Sequence, residues 1–428
     1  MRSSLSASPR LAASGSSRLG WLDALRGIAA LVVVFDHSSY SFMAEFRQEL
    51  MPEFNTSRYG IMVFFLVSGY IIPASLERRG CVRTFWIGRL FRIYPLWAAV
   101  VIGMMAAAAL GVAEVRDFGG QNVAAVAAAH LMLLQELLGT PNLLLVLWTL
   151  SYEMAFYLLV VALFTVRLHQ RSAAVAVTLA ALAALSVAAG FVLPASALSD
   201  ALGTGWLIAL ASVVMVTAIC CASFGAAALR VFGGVLGGVL ALALVAFNGT
   251  VPVWEGLVIL AVMFLGTVVY RADTGQIRWV HAGCAAAVVV AFGVGSAYVD
   301  GDGGHFTRRA WIVSFLLAVV TFGAGLLLRR RRIPRLLAGL GTISYSVYLV
   351  HPVLLAVSDG TIGRRRHDDL VLEVAFYIVL LPLCVLTYHC VEAPAQRWGR
   401  HLARRNAPDR PVSGASSTAE QAGRVASG

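Results

Sequence analysis

Apolar stretches of about 20 residues, the length that crosses a bilayer as an α-helix, recur along the chain. They fall at about 21–42, 59–77, 93–113, 143–166, 172–193, 205–229, 231–248, 253–270, 279–298, 310–328, 337–357 and 370–391. Only Arg230 separates the two runs within 205–248. One further stretch, about 121–138, contains His130, Gln135 and Glu136 and reads as an interfacial or re-entrant segment. The pattern predicts an all-α fold, a polytopic transmembrane helical bundle. Three regions follow from it: a disordered tail at 1–20, one membrane-embedded domain at 21–400, and a second disordered tail at 401–428. No small-residue cleavage site follows the first run, so it reads as a retained helix. No repeat at a fixed period is visible.

Composition agrees. The 428 residues are 59% hydrophobic and 13% charged, with mean hydropathy +0.80, whereas soluble domains carry about a quarter charged residues. The net charge of +11 does not point to nucleic acid, because basic residues in such proteins mark cytoplasmic loops. With the N-terminus inside and the spans alternating, 25 basic residues fall inside and 8 outside. That asymmetry places both termini in the cytoplasm and the protein in the cell inner membrane. Arg364, Arg365 and Arg366 fall outside, where Asp359, Asp368 and Asp369 balance them. All 33 basic residues are Arg. The absence of Lys excludes Schiff-base and P-loop chemistry. The 6 Cys show neither a disulfide framework nor metal-ligand spacing.

Ionisable groups inside membrane helices are costly and point to function. The run 22–40 carries Asp23, Arg26, Asp36 and His37. Arg26 and His37 are eleven positions apart, which sets them within about 20° on one helical face and roughly 16 Å apart along it. This spacing predicts a cation near one surface and an imidazole deeper in the bilayer, facing one cavity. Arg89 and Arg92, three apart, share a face at the cytoplasmic surface and suit a phosphate-rich ligand. Glu153 lies in a membrane run with Tyr157 one turn on, and its carboxylate needs a cationic or imidazole neighbour. Gly69 allows close helix packing. His351 precedes Pro352, Glu392 precedes Pro394, and Pro394 most simply ends a helix. The remaining histidines, His130 among them, read as surface or core residues.

These pieces, in order, resemble the acyltransferase-3 family of integral membrane acyltransferases. The matching segments are LDALRGIAALVVVFDH, FFLVSGYII, FWIGRLFRIYPLW, LWTLSYEMAFY, MFLGTVVYR, ISYSVYLVHPVLL and YHCVEAP, which span about residues 20–400. The resemblance implies about ten core helices, so the expected bundle has 10–12. It implies transfer of an acyl group, commonly acetyl, from acyl-CoA to a hydroxyl of a sugar, glycan, lipid or metabolite. His37 matches the family's catalytic histidine and Arg26 its partner. Arg89 and Arg92 match its Arg pair, and Glu153 the acidic residue of a motif that here reads Trp148-Thr149-Leu150-Ser151.

The expected catalytic set is therefore His37, Arg26, Glu153 and Asp36. The expected substrate-binding set is Arg89, Arg92, Tyr157, His351 and Glu392. Acyl-CoA is expected as co-substrate, with no bound cofactor, no metal and no nucleic acid partner. His37 serves as general base or, in a variant, carries the acyl group as an acyl-imidazole. Asp36 or Glu153 fixes its tautomer. The rival class is a transporter or flippase of an amphipathic small molecule.

Overall fold

The computed structural model describes residues 20–190, 196–302 and 307–405. Those residues form helices joined by short loops. In chain order the α-helices are α1 (Gly20–Phe42), α2 (Ala44–Leu50), α3 (Thr56–Arg79), α4 (Val82–Ala109), α5 (Val123–Leu131), α6 (Trp148–Thr165), α7 (Ser172–Ala188) and α8 (Ala197–Leu202). There follow α9 (Thr204–Phe224), α10 (Ala227–Phe247), α11 (Val253–Asp273), α12 (Trp279–Asp300), α13 (Arg308–Leu328), α14 (Arg335–Thr361), α15 (Leu370–Thr387) and α16 (Ala393–Arg405).

Eleven described helices, with α15 and α16 taken as one, are long and apolar enough to cross a membrane. The 23-residue α1 carries Asp23, Arg26 and Asp36 and adds a twelfth of spanning length. All twelve predicted runs coincide with helices, two more than the family core of about ten. The run at 205–248 is two helices, broken at Gly225 and Ala226. An even number of spans returns the chain to its starting side. Gly20 packs near Ile333, and Gly399 of α16 meets Phe91 in the first half of α4. We call this side, which carries Gly20 and Arg405, proximal, and the opposite side distal.

The stretch 121–138 is too short to cross. The nine-residue α5 would be about 14 Å long. Asn122 caps it by accepting from the Ala124 amide at 2.8 Å. After it comes a 3₁₀ turn, Gln135–Leu138. Gln135 Nε2 donates to the Leu147 carbonyl at 2.9 Å, and Asn248 Nδ2 to the Leu137 carbonyl at 2.9 Å. The 3₁₀ turn thus packs, buried, over the distal ends of α6 and α10, while α5 leaves Val123 and Leu131 exposed.

Two seams without side chains bind the centre of the bundle. A Cβ at Gly69 of α3 would overlap the Met263 carbonyl of α11, and one at Gly266 of α11 would overlap the Leu66 carbonyl of α3. Thr267 then donates to the Gly69 carbonyl at 2.9 Å. This is the close packing predicted at Gly69. Likewise, a Cβ at Gly341 of α14 would overlap the Asp23 carbonyl of α1, and one at Gly60 of α3 would press on Val33 of α1. Buried α1 is therefore held between α3 and α14. Around this centre, α9, α10, α12, α13 and α15 expose Leu, Val, Phe and Ile side chains such as Leu210, Val239 and Ile378, as lipid-facing helices do.

Two boundaries differ from expectation. Pro394 does not end the helix. A π-helical turn, Tyr388–Glu392, links α15 to α16, and its wider hydrogen-bond spacing accommodates the missing proline N–H. The helix continues to Arg405, so 401–405 do not belong to a disordered tail. The tails expected at 1–20 and beyond Arg405 lie, apart from Gly20, outside the described residues.

Candidate active site

Two cavities are stacked along the same helices. On α3, Ser57 and Arg58 line the distal cavity, and Ile61, Phe64 and Ser68 the proximal one. On α6 the division falls between Trp148, which is distal, and Thr149, which is proximal. The proximal cavity holds about 140 Å³ and the distal one about 580 Å³.

The proximal cavity gathers five of the nine predicted site residues: Arg26 from α1, Arg89 and Arg92 from α4, and Glu153 and Tyr157 from α6. Arg26 pairs with Asp23 at 3.8 Å. Arg89 lies 5.6 Å from the centres of the Phe85 and Tyr157 rings, and its buried Nε has no hydrogen-bond partner. Glu153 accepts from the Tyr157 hydroxyl at 2.5 Å. Its bonded neighbour is thus a phenol, where a cation or an imidazole was expected. Three guanidinium groups and one carboxylate thus line this cavity.

The distal cavity holds the other two lining residues, Asp36 and His37. Asp36 accepts from Thr56 at 2.6 Å and pairs with Arg47 at 3.2 Å. His37 Nδ1 lies 2.8 Å from His351 Nε2, with the two rings stacked at 5.1 Å. His37 Nε2 lies 3.9 Å from the Asp36 carboxylate. Between the cavities stands a thin partition. Phe64 meets the Tyr348 ring at 5.4 Å, and Thr149 shares a 2.8 Å hydrogen bond with the Tyr348 hydroxyl.

The shared cavity expected for Arg26 and His37 does not form. Their common helical face is real, but Phe64, Thr149 and Tyr348 arrive from three other helices and close the space between them. Of the two carboxylates considered for His37, only Asp36 is beside it. His351 is fully buried behind His37 and lines neither cavity. Glu392, in the π-helical turn, also lines neither cavity and sits behind the proximal one. It accepts from Ser346 at 3.1 Å and from Gln396 at 2.9 Å, within electrostatic reach of Arg92 and Arg26. His130 fills a core position, between the Val126 carbonyl at 2.9 Å and the Leu143 amide at 3.1 Å.

A family model described as an acyltransferase domain matches residues 19–389. The chain belongs to the acyltransferase-3 family. Its eleven long apolar helices among the described residues are those of a multi-pass membrane protein. The acyltransferase MdmB of Streptomyces mycarofaciens is 32% identical over 154 residues, which cover 33% of this chain and 38% of that protein. The match thus spans well under half of that relative's length. No solved structure matches.

This family member also carries buried charged residues near the two cavities that the sequence pattern did not single out. Arg58 pairs with fully buried Glu255 at 3.1 Å, and Glu255 accepts from the Trp311 indole at 3.0 Å. Glu136 on the distal wall accepts from Asn142 and Thr250. Burial pushes its carboxyl above the ordinary carboxylate range, against the opposing pull of Asn142, Arg58 and Arg116. On the proximal side, buried Arg271 ties α11 to Glu77 of α3 and to Ser172 of α7. Arg271 and Glu77 each fall at the edge of a predicted run, at 253–270 and 59–77. Their pairing needs the crossing of α3 and α11.

Proposed function

We propose that this enzyme moves an acyl group, acetyl in the simplest case, from acyl-CoA to a hydroxyl of a sugar, glycan, lipid-linked sugar or glycosylated metabolite. The observation that carries the reading is the succession, along α3 and α6, of a narrow three-arginine cavity and a roomy cavity that holds His37. Coenzyme A carries a 3′-phosphate and a pyrophosphate, and forked guanidinium groups suit both. Arg26, Arg89 and Arg92 hold them, and the pantetheine arm runs toward Phe64 and Tyr348. The partition shifts to admit the thioester. The acceptor occupies the distal cavity, whose volume falls within the range typical of small-molecule sites.

His37 takes the acceptor hydroxyl proton as general base. The new C–O bond forms at the thioester carbonyl, the C–S bond breaks, and the imidazolium returns its proton to the leaving thiolate. In the variant, the imidazole nitrogen attacks first and the acceptor then displaces an acyl-imidazole. The Asp36 carboxylate, 3.9 Å away, stabilises the charged ring in either route. The excess of Arg in the segments assigned inside makes the proximal side cytoplasmic, in the cell inner membrane.

The test is transfer of label. Purified enzyme incubated with radiolabelled acyl-CoA and a panel of hydroxyl acceptors should label one acceptor class. No transfer from any acyl-CoA, by protein shown to be folded, would remove coenzyme A as the donor.

A further inference from the structure

We infer that His351 is a positioning residue that fixes the tautomer of His37 and leaves its Nε2 lone pair toward the distal cavity. The inference rests on the reading of His37 as the base. His351 Nδ1 lies 2.8 Å from the Val347 carbonyl. A carbonyl oxygen only accepts, so this nitrogen carries the proton. The ring is fully buried, and its close neighbours are the Val347 carbonyl, the His37 ring and the Tyr348 ring. Charging it there would leave a buried cation with no carboxylate in contact, which is strongly unfavourable.

A neutral imidazole has one N–H. With Nδ1 protonated, His351 Nε2 is an acceptor, and the ring nitrogen 2.8 Å away, His37 Nδ1, must donate to it. That uses the single proton of neutral His37. Its Nε2 is left as a lone pair on the side of Asp36, which lines the distal cavity. The opposite tautomer would set two lone pairs face to face across 2.8 Å and put the proton on the nitrogen that must receive one.

Neither candidate carboxylate does this work. Glu153 lines the other cavity. Asp36 stands beyond hydrogen-bond distance, and beside Nε2 rather than Nδ1. When His37 takes up a proton, Nδ1 keeps its bond to His351 while the new N–H gains Asp36 as counter-charge. The ring is thus held in one orientation through both protonation states.

The direct test needs no turnover. Protein labelled with ¹⁵N-histidine and placed in nanodiscs gives separate signals for protonated and bare ring nitrogens, and His37→Gln and His351→Gln identify the two rings. Both rings should carry the proton on Nδ1. A proton on His37 Nε2 at neutral pH would overturn the assignment. The kinetic test follows. His351→Leu removes the acceptor and should lower kcat about 100-fold, the low end for a misplaced general base, with both KM values within about two-fold. In His351→Gln the amide oxygen replaces Nε2, and about ten-fold of the loss should return. Leu and Gln variants equally impaired, or a Leu variant with kcat near the parent's, would refute the role. If acyl-CoA proved not to be the donor, the nitrogen spectrum of the parent would be unchanged, so the two readings fail separately.

Discussion

The two cavities share helices α1, α3 and α6 yet treat charge in opposite ways. In the distal cavity Asp36 and Arg58 are held in close ion pairs, with Arg47 and with Glu255 behind the wall, Glu136 bonds Asn142 and Thr250, and Arg116 also lines the wall. In the proximal cavity three Arg and Glu153 line the wall, Arg26 meets Asp23 only at 3.8 Å, Glu153 is bonded to Tyr157, and Arg89 Nε has no hydrogen-bond partner. Closely paired charge suits a neutral, hydroxyl-rich ligand, and loosely paired guanidinium groups suit an anion supplied from outside. Under the proposed function, the difference separates the place where the donor is held from the place where it reacts.

The largest effect should come from His37→Ala. Losing a positioned general base costs about 10²–10⁴ in rate, so turnover should collapse while membrane insertion and both KM values hold. Purified variant protein with near-parental kcat would break the comparison at its centre.

On the other side, Arg89→Ala or Arg92→Ala should raise the donor KM about ten-fold or more and leave the acceptor KM alone. Charge-assisted hydrogen bonds are worth roughly 1.5–3 kcal/mol, at about 1.4 kcal/mol per decade. Arg→Lys should restore only part, since the fork is lost. A shifted acceptor KM would mean that the cavities are not separate binding sites.

Gly69→Val should weaken both sites together, because α3 lines both cavities. Overpacking typically costs about 1–3 kcal/mol, and a Cβ there meets backbone rather than a movable side chain. Gly103→Ala, in open space on α4, is the control and should leave the yield of folded protein unchanged. Loss confined to one of the two activities would show that α3 does not act as a unit.

The smallest effect should be confined to the distal rim, where α2 carries Arg47. There His367 bonds Glu45 at 2.8 Å, and Asp368 accepts from the Glu45 amide at 2.9 Å. The hydrogen bond from His367 holds Glu45 below its ordinary value of 4.5, and Glu45 in turn raises His367 above 6.5. The Glu45 contribution is present above 4.5 and lost as pH falls through its depressed value. The His367 contribution is present below 6.5 and lost as pH rises through its raised value. Protease protection of α2 should therefore peak between those two pH values, slightly, and His367→Gln should flatten the curve. Proximal-site KM values should not follow it.

Periodicity and charge were enough to read the twelve helices and to single out Arg26, Arg89, Arg92, Glu153 and Tyr157, but not to show that these five, split there between a catalytic and a binding set, line one cavity. The helical wheel also set Arg26 and His37 on one face. It could not show Phe64, Thr149 and Tyr348 closing the space between them, since that depends on how α3, α6 and α14 cross α1. Arg47 and Arg58 do not stand out in the sequence, and their partners Asp36 and Glu255 appear only in three dimensions. Pro394 was misread because a π-helical turn cannot be told from a helix end by composition. His351 stood out in the sequence, but its ring orientation, on which its role depends, did not.

The side-chain-free seams have a mechanical consequence. With α3 in backbone contact with α11, and α1 clasped between α3 and α14, the walls of the two chambers cannot rock apart as the halves of an alternating-access carrier do. Any opening between them must come from turning a few rings, Phe64 and Tyr348 foremost. Side-chain reorientation of this kind spans a few ångströms, where hinge motions move whole domains. The frame would stay fixed, and the bilayer would remain sealed to ions while a slender chain passes.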